Sequence, residues 1–428
     1  TLGDELLKEL GLRSAQTGPA ALIGLLARRS YLWLRGYEFT PRERPEPRAL
    51  TRVEATRSMS LALGHMDPFA AANMQARHLL LALESGDSFS VSRALGYEAV
   101  YLAIEGAPQS DKALALLERQ RALTPDPTHP YLRAFAHYAV GVVDWGRGRW
   151  EEALLALDRA ANAYRNDCTG VAWETLAAQL ISLGCLSFLG RYDELSRRIA
   201  RIADEAQARD DRLTLQWIYA WQALSDTLRG DIVAAQQSIV SARDRLPDDR
   251  YTLPHLFVLI ATSCACIHTG DGRGALSRID REWPSIQRGQ LLRLQVYRVL
   301  LHSMRASALL VTARNEPDAR RELHRRVHHD LTAMESEGVA WADALALAQR
   351  GELRFGQDDG AAALACLELA EERLRRLHMS GYAEATRRRV GLLTGGEPGA
   401  AMVRAADEWF ERRGARAPDR VGAYLLGG

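Results

Sequence analysis

Three short stretches carry residue types that can do chemistry. In "CACIH", Cys264 and His268 stand four apart, one face of a helix and a spacing that zinc ligands use. No second ligand pair stands at a matching spacing, so the expectation is a buried thiol behaving as a small hydrophobe. In "RRELHRRVHHD" (320–330), His324 and His328 are again four apart and His329 is adjacent. A highly charged helix predicts a solvated face there, with a transition-metal or anion site as the lesser reading. "GDGRGA" (Gly270–Ala275) has the glycines of a phosphate loop, but such loops follow a strand and this one follows helix-forming sequence. A turn is expected. No Ser/His/Asp or Cys/His grouping can be assembled, so no catalytic residue, metal ligand or cofactor-binding residue is assigned.

The composition narrows the classes. The chain has 428 residues, 47% of them hydrophobic, and 55 basic against 54 acidic residues give a net charge of +1. That balance argues against a general nucleic-acid binder. Basic runs such as Arg387–Arg389 stand near acidic ones, as in "EERLRR" (Glu371–Arg376), and predict ion-paired helix surfaces. Five scattered cysteines do not make a disulfide framework, so a reducing cytoplasm is expected. The longest apolar run, "LFVLIATSCACI" (Leu256–Ile267), is too short to span a bilayer, and no membrane partner is expected. The opening "TLGDELL" has no signal-peptide pattern and no starting methionine, which suggests a truncated or processed fragment.

The elements that would position any site recur. Gly148, Gly190, Gly230 and Gly270 each open a turn, at separations of 42, 40 and 40 residues. Five residues after each stand Ala153, Leu195, Ala235 and Ala275, and seven further on Ala160, Ile202, Ala242 and Glu282. "GQDDGAA" begins at Gly356, 86 residues after Gly270, which leaves room for one divergent unit with its turn near Ala313–Pro317. Each unit reads as helix, glycine turn, helix. A single hairpin cannot bury its apolar faces, but stacked neighbours can. The glycine–aromatic–acidic–alanine turn resembles the tetratricopeptide repeat. These units are longer than that repeat's roughly 34 residues. The usual aromatic and leucine positions of the first helix hold Tyr219, Gln222 and Asp226. The fold expected is an all-α, tetratricopeptide-like helical-hairpin solenoid.

Residues 1–125 read as an irregular helical region, 131–394 as the repeat array and 396–428 as a C-terminal cap. Helices are predicted over 18–36, 49–64, 68–84, 89–104 and 110–123, with a final one near 401–413. Three prolines break the chain at Thr40–Pro47, and "TPDPTHP" and "GGEPGA" (Gly395–Ala400) mark further boundaries. First helices of such hairpins usually line the inner curve. Tyr138, Trp145, Trp217 and Trp221 are therefore the partner-binding candidates, with inter-repeat packing as the competing role.

Five stretches taken in order carry a family resemblance: "LRGYEF" (Leu34–Phe39), "QARHLLLAL" (Gln75–Leu83), "CTGVAWE" (Cys168–Glu174), "WADALALA" (Trp341–Ala348) and "RVGAYLLGG". The chain resembles the C-terminal helical-repeat region of large bacterial serine/threonine protein kinases that carry a STAND-type ATPase module. The resemblance implies a tail that senses a signal or binds a protein or peptide and regulates the enzymatic parts, its own kinase and ATPase domains being candidate partners. Those parts are not in this sequence. Neither Lys8 nor Lys112 has a strand context, and the DFG and GxxxxGK[ST] motifs are missing. A non-catalytic regulatory module is the leading expectation. A stand-alone scaffold or adaptor is the alternative, and an enzyme with its site in the solenoid hollow a minor one.

Overall fold

The computed structural model describes residues 2–12, 18–64, 67–123, 129–247 and 250–427. Among the described residues there are helices and no strand. The first are α1 (Leu2–Glu9), α2 (Gly18–Arg35), α3 (Pro47–Leu63), α4 (Pro68–Ser85), α5 (Ser88–Glu105) and α6 (Ser110–Leu123). Hairpins follow as α7 (Pro130–Gly146) with α8 (Trp150–Asp167), α9 (Ala172–Leu189) with α10 (Tyr192–Ala208), and α11 (Arg212–Leu228) with α12 (Ile232–Arg243). Next come α13 (Leu253–His268) with α14 (Gly272–Arg288), α15 (Gln295–Asn315) with α16 (Arg320–Glu335), and α17 (Ala340–Gly356) with α18 (Gly360–Arg376). The chain ends with α19 (Ser380–Thr394), α20 (Gly396–Glu411) and α21 (Pro418–Leu426). It is a tetratricopeptide-like solenoid of repeats about 40 residues long.

Local signals set the ends of these helices. Asp67, Asp87, Asp211, Asp231, Asp271 and Asp359 each accept a hydrogen bond from the backbone N–H three residues on, at the start of the helix that follows. Pro47 lies in the first turn of α3, where its missing N–H costs nothing, so that helix starts before residue 49. Most of "GGEPGA" is helical for the same reason: only Gly395 breaks the chain, and Pro398 sits in the first turn of α20. The loop "TPDPTHP" lies largely outside the described residues.

Within a hairpin the two helices meet through small residues. A Cβ on Gly141 would stand 2.7 Å from Cγ of Leu157, and one on Gly351 2.6 Å from Cγ of Leu367. Ala153, Leu157 and Ala160 form the matching stripe on α8, all fully buried. Pairing Gly141 with Gly351 also corrects the repeat register. Gly356 corresponds to Gly146, a helix end. The left-handed residue of that turn is Asp358, with φ of 62°, where Gly148 has 74°.

The solenoid winds far enough to close on itself. The Trp150 ring stacks on Phe188 at 4.0 Å, and both meet Trp341 edge-on at 5.5 Å, joining α8 and α9 to α17. The turn at Gly148 lies under Trp341, and the turn at Gly190 lies against Gly381, whose backbone N would be 2.7 Å from a Cβ there. The backbone N–H of Arg416 donates to the carbonyl of Arg229 at 3.1 Å. Gln295 of α15 reaches the other way: its Oε1 accepts from the N–H of Ala107, and its Nε2 donates to the Glu337 carbonyl. The last helix, α21, packs on α13, α15, α17 and α19 rather than on the final hairpin alone.

Gly190 therefore answers two demands, a left-handed backbone and a covered turn, while Asp358 is exposed and meets only the first. Gly190→Ala should cost at least about 1–2 kcal/mol from the backbone alone, with the clash at Gly381 adding to it. Asp358→Gly should leave stability unchanged or raise it. Denaturant midpoints of the two variants check this contrast.

Candidate functional site

The inner faces of the first helices bound one central hollow of about 300 Å³. Each helix contributes residues at helical spacing. Tyr97, Val100, Tyr101 and Ile104 come from α5, Leu253, Phe257, Ile260 and Cys264 from α13, and Tyr297, Leu300 and Met304 from α15. The other end is bounded by Tyr382 of α19 and by Tyr424 and Leu425 of α21.

All four aromatics singled out from sequence converge on this hollow: Tyr138 and Trp145 of α7, and Trp217 and Trp221 of α11. They also pack. Trp145, Trp217 and Trp221 are only 4–7% exposed and belong to the main core, and Tyr138 rests against it. Packing and lining are compatible because each ring is core on one edge and wall on the other. A ladder continues from them. Trp217 meets Phe257 at 5.2 Å, Phe257 meets Tyr297 at 5.4 Å, and Tyr297 meets Trp145 at 6.0 Å. Sequence reasoning missed Phe257 and Tyr297, although the repeat period points to them: they stand 40 and 80 residues after Trp217.

A second signal was present in hydrophobicity. The helices α9 and α13 are apolar all round, whereas α10 and α14 are amphipathic. One side of α9 (Ala178, Leu183, Leu186) enters the core and the other (Trp173, Ala177, Leu180, Gly184) faces the hollow. By length and composition alone α9 could cross a membrane, but half of it is buried inside the protein. Gly184 keeps space open between two rings: a Cβ there would lie 3.5 Å from Nε1 of Trp145 and 3.9 Å from Cη2 of Trp221.

Among the described residues the lining contains no Asp, Glu, Lys, Arg or His. The charges stand behind the wall, in pairs. Arg57 bonds Glu54 and reaches Glu174 at 3.4 Å, Arg93 also bonds Glu54, and Glu174 accepts from the Tyr131 hydroxyl at 3.2 Å. Asp330 and Glu352 are fully buried. The first accepts from His302 and Arg305, and the second from Arg314 and Arg389. The Cys264 thiol in the lining is pushed by burial up to about 12, and a thiol so held is inert.

The other sequence candidates fall elsewhere. Cys264 and His268 are both buried, and burial followed by the charge of Arg420 holds His268 below its usual value. Among the described residues no group of three or more His, Cys, Asp or Glu stands close enough to share a metal. The helix carrying His324 and His328 is only partly solvated: His328 and His329 are exposed, but His324 is 9% exposed and abuts Gly356, because α16 turns that edge onto α17. "GDGRGA" is a turn into α14, with Asp271 capping it. Arg387, Arg388 and Arg389 pair with Glu384, Asp407 and Glu352.

No protein-family model matches the chain, and no curated protein matches it. A similar solved structure is that of the Rap conjugation gene regulator of the plasmid pLS20 in complex with the Phr* peptide. It superposes with a TM-score of 0.52 at 15% identity, over 89% of this chain and 100% of that one. The likeness is one of fold.

The wall phenols give the site a pH signature. Burial raises Tyr138, Tyr297, Tyr382 and Tyr424 above the usual tyrosine value of about 10. A folded-state value above the unfolded one means that the contribution to stability is complete below about pH 10 and lost as pH rises beyond it. Alkaline titration followed by phenolate absorbance should show these rings ionising together with unfolding. A smooth ionisation with intact circular dichroism would mean the hollow is wet and open.

Proposed function

We propose that this chain is a non-catalytic sensor and regulatory module, in which occupancy of the hollow sets the geometry presented to a protein or peptide partner. The carrying observation is that one hollow is bounded by helices from α3 to α21. Whatever fills it touches helices far apart along the superhelix, so binding energy can favour one winding of the solenoid over another. Tyr138, Trp145, Trp217 and Trp221 are the residues through which that contact would be made. Among the described residues the lining carries no Asp, Glu, Lys, Arg or His, which favours binding over catalysis. The similar regulator is described with a bound peptide, which supports a ligand-responsive reading of the fold. The five ordered stretches named above further support a place behind the kinase domain and STAND-type ATPase of a bacterial signalling protein, in the cytoplasm.

The test uses the chain purified from its native host under non-denaturing conditions, beside Gly184→Leu. That substitution fills the hollow and also replaces a helical glycine, a gain of up to about 1 kcal/mol in helix propensity. Native mass spectrometry should find a stoichiometric ligand on the wild-type protein and none on the variant, with both melting alike. The wild-type protein should show no magnesium-dependent ATP turnover. A ligand retained in full by Gly184→Leu, or turnover surviving removal of contaminating kinases, would overturn the proposal.

A further inference from the structure

Resting on the reading of the hollow as the binding site, we infer that its ligand is an uncharged, largely apolar small molecule with a hydrogen-bond acceptor, and not an extended peptide. Four observations carry this. First, among the described residues no charged side chain lines the hollow, and the charges behind its wall already have partners: Arg57 and Arg93 are held by Glu54, and Glu174 by Arg57 and Tyr131. A charged ligand would lose its hydration and gain no counter-ion, a heavy penalty in an apolar site.

Second, among the described residues the lining has no Asn or Gln. An extended peptide brings one backbone N–H and one carbonyl per residue, and each needs a partner once buried. Phenols and a few serine hydroxyls cannot answer that demand, whereas a compact molecule with one or two polar atoms does not make it.

Third, the size fits. The hollow, about 300 Å³, is twice an apolar cavity of ~150 Å³ that takes up benzene. It lies at the small end of the roughly 300–1,000 Å³ common for ligand pockets. Twelve of the described lining residues are aromatic, a wall suited to flat ring systems.

Fourth, the apolar wall contains one built polar spot. Gln349 is 1% exposed, and its Nε2 donates one hydrogen to Oγ of Ser307 at 2.8 Å and the other to the Ser303 carbonyl at 2.8 Å, shared with Oγ of Ser303 at 3.1 Å. Both serines line the hollow. With Gln349 donating, each serine hydroxyl keeps its own hydrogen for an acceptor on the ligand. A few placed polar groups in an apolar wall are how such pockets orient a ligand.

The inference can be tested with two dyes that share a ring skeleton and differ in charge, neutral N-phenyl-1-naphthylamine and its sulfonated relative 8-anilinonaphthalene-1-sulfonate. Each is titrated into the full chain and followed by its own fluorescence. The neutral dye should bind one per chain, and the sulfonate at least about tenfold more weakly. Gly184→Leu and Ala177→Phe, two independent fillings from α9, should each weaken the neutral dye about tenfold or more. Equal binding of both dyes, or neutral-dye binding unchanged in both filled variants, would overturn the inference. The second outcome would place the dye on an exposed apolar surface such as Trp33 and Leu34 of α2. A peptide pool probed in parallel separates the two levels. Peptides bound by the wild-type protein and lost on filling, with no response from the neutral dye, would sink the ligand class and keep the hollow as the binding site. If neither dye nor peptides respond to filling, the binding role of the hollow falls as well.

Discussion

The closed shape depends on turns that must be left-handed and thin at once. At Gly190 the backbone takes a φ of 71°, and the next winding of the superhelix lies against it at Gly381. Any side chain would be strained by the first condition and expelled by the second. Gly148 under Trp341 repeats the arrangement. Asp358 occupies the equivalent turn in the last hairpin, where it is exposed, and there the left-handed backbone is tolerated with a side chain attached. If the covered turns were thicker, α17 and α19 could not settle on α8 and α9. The hollow would become an open groove, and its aromatic wall would face water.

Closure also sorts charge. First helices must be apolar toward the core and apolar toward the hollow, so their few charged groups have to be neutralised where helices meet. Glu352 of α17 takes Arg314 from α15 and Arg389 from α19, and Asp330 of α16 takes Arg305 and His302 from α15. Desolvation makes such pairs poor sources of net stability, but losing one partner is costly, about 3–5 kcal/mol. They therefore fix which helix faces which. Asp330 stands where Ala160 of α8 and Ala370 of α18 stand, so in this unit an ionic contact replaces the small-residue one of those two hairpins.

Under the proposed function, an apolar hollow shared by helices so far apart in the chain would couple them without a dedicated relay. A ligand that contacts α7, α11, α15 and α21 together stabilises the winding in which those contacts coexist. The shift is limited by the difference in its affinity for the two windings, and moving a population from 1:99 to 99:1 takes roughly 5.5 kcal/mol of preference. Burying a few aromatic contacts can supply energy of that order.

The sequence by itself determined the hairpins and their period, and the usual geometry of such arrays suggested that the first helix of each pair turns inward. Apolar spacing, capping aspartates and turn glycines are local, and they repeat. The same reasoning brought Tyr138, Trp145, Trp217 and Trp221 to a common inner face, and the 40-residue period extends that face to Phe257 and Tyr297. Even the apolar-all-round character of α9 and α13 was readable as a sign that both their sides are dry. Tertiary structure alone decided the rest. That Trp341 would roof the turn at Gly148, that Tyr382 and Tyr424 would close the far wall, and that His324 would be buried depend on elements far apart in the chain or on how neighbouring helices pack. Such contacts leave no period in the sequence, because they follow from the accumulated twist of the stacked hairpins and not from any one of them.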